Sequence, residues 1–276
     1  MKKFQSRTLG QSFFAVAMML AIASWAQAGL VQTMFNDLSS DSVSGQAVGG
    51  TGLTGTWGGG SNIQVIAGDL AAPASTNFNL PQSGTAQSVR GDVATTTGSS
   101  IEAEIATPLT GEVWFSFLVN PVAGARSGID INPADNPASP SGSPLRIITV
   151  NDELRLITPS DNQNAGSVAY SQTALVLGRI QINGNGANEV VSIWLNPDVT
   201  NHGAADYIMN DADFVTTDIF RLGIESYRSG GTVGGIVDLV TLSNGFGAYE
   251  NVTGVPTPSA LSAGLILLNL LVMRRK

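Results

Sequence analysis

The chain has 276 residues, 43% of them hydrophobic, so it can bury the core of a folded domain and lacks the composition of a disordered protein. It contains no cysteine, which excludes disulfide bonds and thiolate metal sites. The formal net charge is −8, and residues 29–255 hold seven arginines, 21 carboxylates and no lysine, which argues against nucleic acid and anionic lipid surfaces as partners.

The first 28 residues have the three parts of a secretory signal peptide. Basic residues at the start are followed by an apolar run, 13–25, and then by the small-x-small sequence of Ala26, Gln27 and Ala28. The apolar run is shorter than the roughly 20 residues that a membrane-spanning helix needs. We therefore predict a signal peptide at 1–28 that a signal peptidase removes.

Residues 29–250 consist of short β-branched and aromatic runs separated by Gly, Asn, Pro and Ser, with no long segment at helical period. This pattern is typical of an all-β domain. The Gly-rich run 49–60 is interpreted as a loop that carries Trp57 and precedes a strand at 62–66. The clearest strands are 112–119, 145–150, 153–157, 174–183, 189–195, 218–225 and 235–243.

Two strand features define the expected architecture. Both faces of 112–119 are apolar, which predicts a central strand. Asn151 and Asp152 separate two strands and suit a tight hairpin. Many short antiparallel strands in one domain bury their apolar faces most simply as two packed sheets, so we predict a single jelly-roll sandwich at 29–250.

Glu102 and Glu104 are the strongest candidates for catalysis. Two residues apart on a strand, their carboxylates would share one face, and paired acids are the groups that glycoside hydrolases use. Laminarin-type hydrolases carry a Glu-x-Asp-x-x-Glu strand, whereas positions 102–107 lack the third acid. A solvated strand face is the alternative interpretation, and we favour it.

The chain has one histidine, His202, in a turn-rich loop. A lone imidazole can act as a base, but no cysteine or glycine-serine-glycine elbow supplies a nucleophile beside it. We therefore interpret His202 as a loop residue, assign no catalytic residue, and predict that the protein is not an enzyme.

Calcium is the cofactor that the oxygen-rich loops would suit. The main candidate ligands cluster in one acidic loop: Asp206, Asn210, Asp211 and Asp213. A weaker set is Asp130, Asn132 and Asp135. No EF-hand pattern is present, so acidic loops in an acidic protein are the competing explanation.

Aromatic side chains are candidates for stacking on sugar rings. Trp114 and Trp194 lie in apolar strands, where burial is the default explanation. Trp57 and Tyr207 are expected in loops and are the better candidates for a ligand-binding surface.

The C-terminus has a tripartite hydrophobic tail. A short linker, 251–254, leads to Val255, Pro256, Thr257 and Pro258, then to an apolar stretch, 260–273, and finally to Arg274, Arg275 and Lys276. The basic cluster would hold this end on the cytoplasmic side of the inner membrane, which places the domain outside. The prolines predict an extended segment before the apolar stretch.

This tail, 255–276, resembles the PEP-CTERM sorting signal of Gram-negative bacteria that make extracellular polysaccharide. The resemblance implies cleavage near the Pro-x-Pro motif by an exosortase, a membrane protease. Thr257 stands where the family has Glu. Cleavage of the tail and its retention as a membrane anchor both remain open.

A second resemblance concerns the domain. Segments 35–36, 113–118, 177–180 and 191–197, together with the Gly-rich run that ends near Trp57, are similar to PEP-CTERM proteins whose body is a concanavalin A-like, laminin-G-like sandwich. These segments read as core and turn residues, so the resemblance implies the fold more than a function.

Together these observations predict a non-enzymatic, exported protein of the cell surface or extracellular matrix, associated with extracellular polysaccharide and transiently anchored in the membrane. A carbohydrate-binding module is the alternative. A glycoside hydrolase or lyase that uses Glu102 and Glu104 is a third, weaker hypothesis.

Overall fold

The computed structural model describes residues 29–39, 42–60, 62–80, 86–91, 100–132, 145–159, 161–185, 188–212, 218–228 and 233–255. The predicted signal peptide, with Ala26 and Ala28, lies outside these residues. So do the following residues of the predicted sorting segment: Pro256, Thr257, Pro258, Arg274, Arg275 and Lys276. None of the helices within the described ranges is long and apolar enough to cross a membrane.

Within these ranges the chain is almost entirely strand. The strands are β1 (Leu30–Thr33), β2 (Leu53–Gly59), β3 (Ile63–Ala67), β4 (Gln87–Gly91), β5 (Ser100–Leu109), β6 (Glu112–Asn120), β7 (Ala125–Ile131), β8 (Leu145–Val150), β9 (Glu153–Ile157), β10 (Asn162–Ser167), β11 (Ala174–Asn185), β12 (Asn188–Leu195), β13 (Tyr207–Ala212), β14 (Ile219–Arg228) and β15 (Ile236–Asn244). A 3₁₀ turn (Ala74–Thr76) and one short helix, α1 (Ala248–Thr253), complete the elements.

The strands form two antiparallel sheets. Sheet A has eight strands in the order β13-β12-β11-β6-β15-β4-β3, with β1 also paired to β15. Sheet B has seven, in the order β10-β9-β8-β7-β14-β5-β2. The sheets pack face to face around a continuous apolar core that includes Phe115 and Phe117 of β6 and Ile129 of β7. The predicted all-β jelly-roll sandwich is confirmed.

The predicted central strand and the predicted hairpin are both confirmed. β6 lies inside sheet A between β11 and β15, and its residues from Val113 to Val119 are buried on both faces because each face meets an apolar layer. The predicted hairpin joins β8 to β9, where Val150 pairs with Glu153 and Asn151 has a left-handed φ of 58°.

The Gly-rich run around Trp57 differs from its prediction. Residues Leu53–Gly59 form β2, an edge strand of sheet B, and the indole of Trp57 is 1% exposed with its centroid 6.0 Å from that of Phe35. The left-handed φ of Gly55 lets the strand bulge, and the register with β5 shifts between Thr54 and Gly58. The expectation of an exposed Trp57 loop is wrong, because this bulged strand turns the indole into the core.

The outer face of sheet A, the face away from sheet B, is covered by a second apolar cluster. Trp114 and Leu118 of β6 pack there with Val252 of α1 and the half-buried Val255. The hydroxyl of Ser116 donates a hydrogen bond to the carbonyl of Val252. The predicted linker at 251–254 is therefore wrong, since these residues end a helix docked on the sheet; six helical residues are too few to show a helical period in sequence.

Candidate functional site

The outer face of sheet B carries a polar pocket near its β2 edge. The pocket has a volume of about 280 Å³. Its lining residues come from β2, β5 and β14: Thr54, Gly55, Thr56, Gly58, Glu102, Ala103, Glu104 and Arg221.

Strand pairing explains why these residues meet. β5 lies between β2 and β14, so Glu102 is opposite Gly58 and Gly223, and Glu104 is opposite Thr54 and Arg221. The intervening residues of β5 belong to the core. The structure thus places Glu102 and Glu104 on one face, as their spacing predicted, with glycine on either side of Glu102.

A bulge in β14 exposes an aromatic ring beside Arg221, one of the residues that line the pocket. Strict alternation would turn Phe220 into the core, but the register with β5 shifts between Ile219 and Arg221, and Phe220 is 44% exposed. The Arg221 guanidinium carbon lies 5.8 Å from the Phe220 ring centroid and its Nη2 is 3.7 Å from Oε1 of Glu104. A phenyl ring, an arginine and a carboxylate therefore stand side by side.

Asn132 holds this bulge in place. Its Oδ1 accepts hydrogen bonds from the amides of Phe220 (2.8 Å) and Arg221 (3.2 Å), and its Nδ2 donates to the carbonyl of Asp218 at 2.8 Å. The side chain replaces the strand partner that the bulged amides lack. Asn132 therefore has a structural role at the bulge that positions Arg221.

A buried charge cluster lies further along the same face. Arg146 is 7% exposed and contacts Glu225 through Nε (3.1 Å) and Nη2, while its Nε lies 3.5 Å from Oδ1 of Asp130. Asp130 is 1% exposed and faces Gly223, which in turn faces Glu102. Burial, then the charge of Glu225, raise the pKa of Asp130 well above its usual range, Arg146 opposes them, and Glu102 adds a smaller increase.

The predicted metal ligands are not brought together in the part of the chain that the structure describes. The Asp206 carboxylate accepts a hydrogen bond from the Leu195 amide at 2.8 Å, and Asn210 is exposed on β13. The Asp211 side chain and all of Asp213 and Asp135 fall outside the described part. Among described residues no three His, Cys, Asp or Glu side chains converge as metal ligands, so a calcium site remains a prediction.

The remaining candidate residues, Tyr207, His202, Trp114 and Trp194, pack against other side chains of the sandwich. Tyr207 is half-buried on β13 and packs against the core, and burial, followed by the charge of Asp161, raises the pKa of its phenol. His202 packs with the rings of Trp194 (4.8 Å), Tyr249 (5.4 Å) and Trp114 (5.8 Å) on the outer face of sheet A. The expected burial of Trp114 and Trp194 is confirmed.

Nothing in the sequence indicated Phe220 or Arg221 as pocket residues, and the sequence suggested Asn132 as a calcium ligand and not as the residue that holds the bulge. Their positions depend on a bulge in β14 and on hydrogen bonds between residues far apart in sequence. Neither feature can be recognised from the residue pattern of one strand. Glu102 and Glu104 carried a signal, the i, i+2 spacing of two acids in an apolar strand.

No family model matches the chain, and no curated protein matches it. Among solved structures, the globular domain of T. cruzi calreticulin is 11% identical with a TM-score of 0.43, covering 86% of this chain and 98% of that chain. The Emp47p carbohydrate recognition domain is 8% identical with a TM-score of 0.38, covering 75% and 94%. A sialidase is 13% identical with a TM-score of 0.42; the match covers 69% of this chain but spans only 18% of that protein. These similarities are too distant to transfer a ligand or an activity.

Proposed function

We propose that the protein is an exported, non-enzymatic glycan-binding protein of the cell surface or extracellular matrix. Polysaccharide binds in the pocket on the outer face of sheet B. The observation that carries the proposal is the combination of Glu102, Glu104 and Arg221 in one pocket with the exposed ring of Phe220 beside it.

This set of side chains suits a sugar. Hydroxyl groups donate to the carboxylates of Glu102 and Glu104 and accept from the guanidinium of Arg221. The apolar C–H face of a pyranose packs on an aromatic ring, and the exposed ring of Phe220 lies beside Arg221 of the pocket. A pocket for a lipid or another apolar ligand would instead be lined mainly by apolar side chains.

The direction in which the chain leaves the sandwich supports a role at a surface. Val255, the last described residue, packs on the outer face of sheet A, whereas the pocket opens on the outer face of sheet B. If the PEP-CTERM-like tail that follows holds the protein at the membrane until an exosortase cuts it, the pocket faces away from the attachment point. Extracellular polysaccharide is then the partner within reach.

Polysaccharide pull-down and calorimetric titration with the purified protein test the proposal. Phe220→Ala should weaken binding about two- to tenfold, the range expected for one aromatic contact. Phe246→Ala is the matched control, because Phe246 is 76% exposed in the turn before α1, away from the pocket. Equal effects of both changes, or no effect of Phe220→Ala, would contradict the proposed site.

Glycoside hydrolysis is the second candidate, and the raised pKa of Asp130 two strands from Glu102 is the observation in its favour. Hydrolases need one protonated and one ionised carboxyl group on either side of the sugar. Asp130 is 1% exposed, so it does not reach a sugar in this structure, and binding is the better supported function. Release of reducing ends that is lost in Glu102→Gln or Glu104→Gln, while binding persists, would establish hydrolysis instead.

A further inference from the structure

The charges around the pocket are unequal. Two of the residues that line it, Glu102 and Glu104, are carboxylates, and Arg221 is the single cation among the lining residues that the structure describes. The side chain of Glu104 is 68% exposed, whereas that of Arg221 is 13% exposed. The charge that a ligand first meets is therefore negative.

The arginines near the pocket are already engaged. Arg221 contacts Glu104 and lies over the ring of Phe220. Other described arginines on this face form ion pairs: Arg146 with Glu225 and Asp130, and Arg155 with Glu153. Arg126 is exposed, but it lies four residues along β7 from Asp130, about 13 Å away. A carboxylate on a ligand would have to displace one of these pairs to gain a cation.

Asp130 lies on the same face, but it is 1% exposed and does not line the pocket. Together with Glu225 it occupies the guanidinium of Arg146, whose Nε lies 3.5 Å from Oδ1 of Asp130. Gly223, which has no side chain, is the residue between Asp130 and Glu102 across the strands. The ion pairs of this cluster therefore leave Glu102 and Glu104 as the acidic side chains that line the pocket.

We infer that the pocket selects glycans that carry free amino groups over neutral glycans, and rejects glycans that carry carboxylates. This inference rests on the proposed glycan-binding function. The charged residues that line the pocket carry a net negative charge, which attracts an ammonium group and repels the carboxylate of a uronate. The 21 carboxylates between residues 29 and 255, against seven arginines, give the long-range field the same sign.

The test compares three probes of similar length: a glucosamine hexamer, its N-acetylated counterpart and a galacturonic acid oligomer. Calorimetry on the purified protein below neutral pH, at low and high salt, should show the amine binding about fivefold tighter than the N-acetylated probe at low salt, the ratio expected for one partly solvated net charge. The ratio should fall towards one at high salt. The uronate should bind most weakly.

Two variants assign the effect to the pocket. Glu104→Gln should remove most of the preference for the amine while leaving the N-acetylated probe bound. Glu112→Gln is the control, because Glu112 begins β6 in sheet A and its side chain is 47% exposed. Equal affinity for the amine and its N-acetylated form, or tighter binding of the uronate, overturns this inference but leaves glycan binding standing. Failure of all three probes and of native polysaccharide to bind contradicts the proposed function itself.

Discussion

Replacing Asp238 by Asn should change how the stability of the protein depends on pH. Asp238 is 1% exposed on β15, and its carboxylate accepts hydrogen bonds from the amides of Leu70 (2.8 Å) and Leu239 (2.7 Å). These bonds hold the segment around Leu70 on the outer face of sheet A. Burial raises the pKa of Asp238 from 3.8 to about 7; the two amides lower it, and the charge of Asp69 adds to the increase.

The raised pKa determines whether Asp238 stabilises the folded protein at low or at high pH. Below pH 3.8 the carboxyl is protonated in both states, and between 3.8 and about 7 the unfolded chain ionises while the folded one does not. The stabilising contribution is therefore complete at low pH and is lost as the pH rises to about 7. A difference of about three pH units corresponds to a loss of up to about 4 kcal/mol.

Urea denaturation at intervals from pH 4 to pH 8 measures this loss. The stability of the wild-type protein minus that of Asp238→Asn should fall by up to about 4 kcal/mol across the range, because the amide does not ionise. Asp198→Asn is the control: hydrogen bonds from Asn77 and Thr200 lower the pKa of Asp198, so its contribution disappears only in more acidic solution. A wild-type minus Asp238→Asn difference that stays constant from pH 4 to pH 8 would refute the reasoning.

Three further substitutions probe the packing and the pocket. Asn132→Ala should lower the free energy of unfolding, measured by urea denaturation, by about 2 kcal/mol and should weaken glycan binding, because the amides at the Phe220 bulge lose their acceptor. Unchanged affinity would show that the bulge keeps its conformation without Asn132. Gly178→Ala should lower stability by about 1–3 kcal/mol, since a Cβ there would lie 2.0 Å from Cζ of the buried Phe115 ring, and an unchanged melting temperature would contradict this. Trp57→Ala should cost about 3–5 kcal/mol by opening a core cavity, and a selective loss of binding without loss of stability would restore the original interpretation of Trp57 as a ligand residue.

Much of the fold could be predicted from the sequence because each strand carries its own pattern. The apolar run of β6 and the Asn151 hairpin are local signals, and both are confirmed. The shared face of Glu102 and Glu104 follows from the two-residue period of a strand in the same way. Features that are set by the residue pattern of a single strand could therefore be predicted from the sequence.

The rest depends on pairing between distant segments. Phe220 is exposed only because β14 shifts its register against β5, and Asn132 reaches the bulge from the end of β7. Trp57 turns inward because β2 joins the edge of sheet B, which a Gly-rich sequence does not indicate. The docking of Val252 likewise requires the apolar outer face of sheet A. None of these contacts can be predicted from the hydrophobic periodicity of one segment.

Amide hydrogen exchange with and without saturating polysaccharide tests the central claim most directly. If glycan binds in the pocket, protection should increase in β5 around Glu102 and Glu104 and in β14 around Phe220, and should not change in α1 on the opposite side of the sandwich. Protection confined to α1 and the outer face of sheet A, or no change in β5 and β14 on confirmed binding, would contradict the proposed site.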